Sequence, residues 1–170
     1  MEVSALCVQG NIIKKDAFNN LSQSALSIIP TASNATPPDS IDPMEKAIIN
    51  LHHQHLKISE QTLVREYPLT KKLLAMTRVI DSGNEMLVST KGAPEAIFSL
   101  CGLSHDEVQK ELSHVNKMAQ LGYRVLGVAQ TKYNKPVLPE TQHDFELIYL
   151  GLIAFEDPIR PEVPQAVAAC

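Results

Sequence analysis

Glu85-Met86-Leu87-Val88-Ser89-Thr90-Lys91-Gly92-Ala93-Pro94-Glu95 runs from a β-rich segment into a cation, a glycine and a proline. Pro94 fixes φ where a helix through Leu100 can begin, so a strand is expected to hand over to a helix here. Gly92 lets another group approach the main chain, and Lys91 supplies positive charge. The new helix would turn unpaired N–H groups toward its start. Together these are the ingredients of a nucleotide pocket. Taken alone, they also fit an ordinary strand-to-helix turn, because glycine and proline punctuate such junctions widely.

Outward from this run, strands are expected at residues 64–67, 74–80 and 85–90, the last two joined by the Asp81-Ser82-Gly83-Asn84 turn as a hairpin. Residues 3–9 and 11–14 flank Gly10 as an opening hairpin or bent strand, and residues 124–133 and 145–155 supply two further strands. Asp42-Pro43-Met44-Glu45 is a helix start, with Asp42 as N-cap and Glu45 able to complete a capping box. Ser104 and Glu107 repeat that pattern before a helix carrying Val108, Leu112, Val115 and Met118 on one stripe, with Gly122 to terminate it. Asp16 is expected to cap a short helix ending before Pro30, and residues 30–40 to form a surface loop. Short connections between neighbouring strands favour an α+β fold, a largely antiparallel twisted sheet flanked by helices.

The chain has 170 residues, 44% hydrophobic and 20% charged, which suits one domain with a core. A net charge of -4 without basic runs gives no reason to expect nucleic-acid binding. The longest apolar stretch, residues 147–155, is too short for a bilayer, which takes roughly 20 residues. The first residues lack the basic start and apolar core of a signal peptide, which points to a cytosolic setting. Cys7, Cys101 and Cys170 are odd in number and far apart, against both a disulfide framework and a zinc site. His52, His53 and His55 read as a solvated helix end rather than a metal site, because adjacent residues on a helix point in different directions and no partnered Cys or Asp pattern accompanies them. Asp106, Glu107 and Glu111 fall in the first turns of a helix, where acids suit the macrodipole. No serine sits in a recognisable hydrolase triad, and neither common phosphate-loop pattern occurs. After Phe155 three prolines among four charges suggest a stiff connector, and the chain reads as cut from something longer.

One set of segments discriminates further: Asp42-Pro43-Met44-Glu45-Lys46-Ala47, Glu66-Tyr67-Pro68-Leu69, Lys91 to Glu95, Leu121-Gly122-Tyr123-Arg124-Val125-Leu126 and Asp157-Pro158-Ile159-Arg160. In order and spacing they resemble the nucleotide-binding domain of the P-type cation-transporting ATPases, the calcium-pump-like subgroup in particular. The likeness covers nearly the whole chain, and the Lys91 to Glu95 run is its most specific part. It implies a nucleotide-binding domain over residues 1–155, with residues 156–170 as the hinge and the start of a phosphorylation domain.

The resemblance also implies a site. Glu45 would accept a hydrogen bond from the adenine amino group, and Tyr67 stands where the family usually places a phenylalanine that stacks on the base. Lys72 lies near a second pocket lysine, with Lys71 an equal candidate. Lys91 and Gly92 would form the pocket floor, Lys91 and Arg124 would steer the phosphates, and Asp157, Pro158 and Arg160 would order the phosphate end from the hinge. The expected ligand is ATP with its Mg2+; no residue is assigned as catalytic or as a metal ligand. The aspartate that a P-type pump phosphorylates sits in a DKTGT segment absent from this chain. The implied task is to position ATP within a cytoplasmic domain of a membrane-embedded parent, working with that parent's phosphorylation and actuator domains. A non-catalytic interaction module of the same fold, having lost nucleotide binding, is the alternative.

Overall fold

A computed structural model describes residues 1–157. The expected hinge residues Pro158 and Arg160, and Cys170, lie outside the described residues. Seven strands form one sheet: β1 (Glu2–Val8), β2 (Asn11–Lys14), β3 (Thr62–Tyr67), β4 (Ala75–Asp81), β5 (Met86–Gly92), β6 (Arg124–Tyr133) and β7 (Ile148–Glu156). Their order across the sheet is β2-β1-β7-β6-β5-β4-β3, and every pairing is antiparallel. The first and last of the described strands are therefore neighbours, with Glu2 opposite Glu156.

Four helices cover the two faces: α1 (Gln23–Asn34) and α2 (Pro43–His55) on one, α3 (Pro94–Leu100) and α4 (His105–Gln120) on the other. Under α1 and α2 the core comprises Leu6, Ile28, Ile29, Ile48, Val128, Ile153 and Phe155. Across the sheet, Phe98 and Met118 pack on Cys7 and Leu152, while Tyr67, Val88, Ile97, Ala129 and Phe145 form a second cluster. Burying side chains of this size contributes roughly 1.5–3 kcal/mol each, so both faces hold the sheet.

Local chemistry explains most of the element ends. Ser104 and Glu107 close the capping box in both directions before α4. At the other end Gly122, at φ 86°, lets its own N–H reach the Ala119 carbonyl and the Tyr123 N–H reach that of Met118. This double closure satisfies two carbonyls that the last helical turn would leave bare. The stripe of Val108, Leu112, Val115 and Met118 then faces the sheet as its spacing requires.

The segment before α2 corrects the sequence expectation. Asp16 does not cap a helix ending at Pro30; residues Lys15–Asn20 form a 3₁₀ turn, and Ser22 caps α1 by accepting from the Ala25 N–H. Pro30 lies inside α1, where it removes one amide donor and costs roughly 3 kcal/mol. The helix continues because its next turn has somewhere to go: Thr31 and Ala32 are buried, and Thr31 Oγ1 bridges the Ser27 carbonyl and Gln130 Oε1. The expected loop over residues 30–40 accordingly begins only after Asn34, and even Ala35 and Thr36 are buried.

Candidate functional site

Strand register decides which expected residues meet. Met76 stands opposite Lys91, and Lys91 opposite Val128. One step away, Tyr67 stands opposite Thr77, Thr77 opposite Thr90, and Thr90 opposite Ala129. Side chains alternate between faces along a strand, so these two rows point in opposite directions. Lys91 lies on the α1–α2 face, and Tyr67 on the other.

On the Lys91 side, a cleft of about 360 Å³ opens between the start of α2, the end of β5 and the 69–76 segment. Its walls are apolar, from Met44, Leu69, Leu74, Met76 and Leu126. The lysine is 6% exposed, and its Nζ donates to Glu45 Oε1 at 2.7 Å. A cation this buried needs such a partner. The capping box expected of Glu45 is absent: Asp42 alone caps α2, its Oδ1 accepting from the Met44 and Glu45 N–H groups. Glu45 is thereby released to point into the cleft. Its second oxygen accepts from the Ser40 hydroxyl, and Ser40 Oγ in turn accepts from the Asp42 N–H at 3.1 Å.

Gly92 also lines this cleft, but the group that needs its bare backbone belongs to the protein. A Cβ there would lie 2.3 Å from the Leu74 carbonyl oxygen and 2.6 Å from the Ala75 Cα. That carbonyl accepts from the Ala93 N–H at 2.8 Å, fastening the start of β4 to the turn that leads into α3. Pro94 opens α3 where the sequence predicts.

Tyr67 is 5% exposed and is not brought to Glu45 and Lys91. Its ring meets Phe145 edge to face at 5.5 Å, Arg65 lies over it at 4.4 Å, and its hydroxyl donates to the Pro139 carbonyl. Burial pushes its phenol above the ordinary value of 10.0. Beside it, the Thr77 hydroxyl lies 2.7 Å from that of Thr90 and donates to Gln142 Oε1, while Gln142 Nε2 donates to the Ala75 carbonyl. A cleft of about 580 Å³ lined by Tyr67, Leu73 and Gln142 opens on this side too, but the buried polar groups beneath it are satisfied by one another.

Arg124 starts β6, exposed, two residues from Leu126 and hence on the same face as the cleft. It makes no ion pair among the described residues. Lys71 and Lys72 are both exposed, and Asp157 is exposed just beyond β7. Sequence reasoning missed the cleft's walls: Leu69 and Leu74 are 53% and 49% exposed, and half-exposed leucines beside a buried ion pair are its visible mark.

The other reactive candidates are occupied or quiet. Burial raises the Cys7 thiol to about 11 and the Cys101 thiol to about 12, so neither is a thiolate at neutral pH. The three histidines do not form the solvated end expected of them: His52 is buried, His53 is exposed, and both ring nitrogens of His55 face carbonyl oxygens, of Leu51 and Phe18.

The sequence pattern of one protein family, described as P-type ATPase, cytoplasmic domain N, matches residues 41–162. The chain is 26% identical over 176 aligned residues to a probable cation-transporting P-type ATPase of Mycoplasma genitalium, covering 95% of this chain and 20% of that protein. It is 29% identical to plasma membrane calcium-transporting ATPase 4 of Bos taurus, covering 70% of this chain and 11% of the relative. A putative cation-transporting ATPase of Methanocaldococcus jannaschii is 28% identical, with 94% and 18% covered. The chain thus spans between a tenth and a fifth of the length of these relatives.

Proposed function

The chain belongs to the family of P-type ATPase cytoplasmic N domains, and we propose on that premise that it holds ATP for phosphoryl transfer to an aspartate outside these residues. The observation that carries the proposal is the Glu45–Lys91 pair at the floor of an apolar cleft. A partly buried acceptor and a buried donor side by side match the edge of adenine, whose amino group donates and whose adjacent ring nitrogen accepts. Glu45 takes the amino hydrogen, and Lys91 donates to the ring nitrogen. Lys91 therefore acts on the base; with its charge balanced by Glu45, it is a poor anchor for phosphate.

The triphosphate then runs along the same face toward Arg124, whose forked donors suit phosphate oxygens. Lys72 or Lys71 adds positive charge from the neighbouring segment, and Asp157 with Arg160 orders the far end. Magnesium arrives with the nucleotide, since the cleft's own carboxylates, Asp42 and Glu45, are already engaged. This chain supplies position: it brings a held phosphoryl group within reach of its acceptor, and the parent pump supplies the acceptor and the cation path. In this reading residues 1–155 are the binding unit, and 156–170 are the hinge and the start of the phosphorylation domain. The setting is a cytoplasmic domain of a membrane-embedded, cation-transporting parent, acting with that parent's phosphorylation and actuator domains. The bovine relative and a Dictyostelium relative are both named calcium-transporting, which supports a calcium-pump-like parent.

One observation favours a second reading, a non-catalytic interaction module: among the described residues no aromatic ring lines the cleft, because Tyr67 lies across the sheet. Titration of the isotopically labelled chain with MgATP separates the two. Shifts concentrated at Glu45, Leu69, Leu74, Met76 and Lys91 are expected. Their absence at saturating nucleotide would leave the interaction module as the better account.

A further inference from the structure

The loop before α2 ends in a residue whose hydroxyl has no freedom left. Ser40 Oγ accepts from the Asp42 N–H at 3.1 Å and spends its single hydrogen on Glu45 Oε2. The Ser40 N–H donates to the Pro37 carbonyl at 3.2 Å, so the hydroxyl hangs from a closed turn rather than from loose chain. Glu45 is consequently gripped at both oxygens, by Ser40 on one and by Lys91 on the other. A carboxylate held at one oxygen can swing about its last torsion; held at both, it presents its remaining lone pairs in one fixed direction.

We propose that Ser40 is a positioning residue for base selection: by pinning Glu45 it fixes which side of the cleft floor accepts and which donates. The proposal rests on the ATP-holding reading of this cleft. On its Watson–Crick edge adenine offers a donor amino group and then an acceptor nitrogen, whereas guanine offers an acceptor oxygen and then a donor N–H. With Glu45 and Lys91 locked in order, adenine finds complements at both positions and guanine finds neither. Guanine entering in the same orientation as adenine could be accommodated only if the two side chains exchanged places, and the Ser40 hydrogen bond opposes that exchange. The discrimination is strong for so small a contact because a mismatched base leaves buried polar groups without partners.

The test compares the 170-residue chain with Ser40→Ala and Ser40→Thr, using ATP and GTP as probes in calorimetry. Ser40→Ala is expected to weaken ATP binding about tenfold, the loss of one charge-assisted hydrogen bond, while GTP binding changes little or improves. Ser40→Thr keeps the hydroxyl and restores the preference. A Ser40→Ala chain with the wild-type ATP:GTP ratio, or one losing both nucleotides equally, would overturn the proposal. A second readout needs no nucleotide: the Lys91 ammonium resonance, slow to exchange while it is paired with a pinned Glu45, broadens in Ser40→Ala and recovers in Ser40→Thr. An unchanged resonance in Ser40→Ala refutes the pinning itself. If no nucleotide binds the wild-type chain but the resonance responds as expected, it is the ATP-holding reading that fails, and the selection role with it, while Ser40's grip on Glu45 stands.

Discussion

Lys91 and Tyr67 are almost equally buried and lie two strands apart, yet they belong to opposite faces that behave differently. On the Lys91 face an ion pair sits at the floor of an open cleft with half-exposed apolar walls. On the Tyr67 face the polar groups of Thr77, Thr90 and Gln142 are satisfied by one another beneath aromatic edges. Burial alone therefore does not distinguish a site from a core. Both faces carry a cleft; what distinguishes them is whether the polar groups lining it are an acid and a base turned toward the opening or are consumed by partners within the fold.

Substitutions on the two faces should separate stability from binding. The largest effect is expected from Tyr67→Ala, which leaves a cavity beside Phe145 and costs about 3–5 kcal/mol in chemical denaturation. Its folded fraction should still bind ATP normally; weakened binding would bring Tyr67 back to the site. Lys91→Met should do the reverse, lowering ATP affinity at least about tenfold while the denaturation midpoint moves less than for Tyr67→Ala. Thr77→Val leaves Gln142 Oε1 and the Thr90 hydroxyl short of a partner, at about 1–3 kcal/mol, again without a change in calorimetric affinity. Leu69→Phe tests the missing ring directly: a base stacked on the new aromatic should bind about fivefold tighter, and no gain would show that Leu69 does not face the base.

The smallest expected effect is one of pH. Burial, assisted by the neighbouring His53, holds His52 below its ordinary value of 6.5. A histidine kept neutral by folding takes up its proton more readily when unfolded, so its contribution is fully present above pH 6.5 and is lost as the pH falls through the lower folded value. Urea midpoints should decline below about pH 6.5, and His52→Leu should flatten that decline. His52 lies on α2, the helix that carries Glu45 in its first turn, so this probes the scaffold of the open face without touching the cleft.

Much of the architecture was legible because it is written in local chemistry. The Ser104–Glu107 box, the Gly122 terminator, the Asp42-Pro43 start and the strand–Pro94 junction each depend on a few adjacent residues, and each forms where expected. The misreadings share a different cause. Pro30 ends a helix only if nothing rewards the next turn, and the reward here is contact with the sheet, including Gln130. Glu45 closes a capping box only if no better partner exists, and Lys91 comes from 46 residues away. The face of Tyr67 depends on pairing register, which alternation within one strand does not reveal. Leu69 and Leu74 look like ordinary loop leucines until the fold sets them beside that ion pair.

The pairing of Glu2 with Glu156 has a mechanical consequence. On the proposed reading of residues 156–170 as a hinge, that pairing makes a narrow neck of two adjacent backbones, and the sheet would turn about it by twisting them, without stretching a loop. From the neck to Lys91 is five residues along β7 and two strands across, a lever of about 20 Å by standard strand dimensions. A swing of about 10° at the neck would carry whatever the cleft holds by about 3–4 Å, comparable with the separation between reacting atoms poised for transfer. Small angular play at one end of the sheet thus becomes a chemically meaningful displacement at the other.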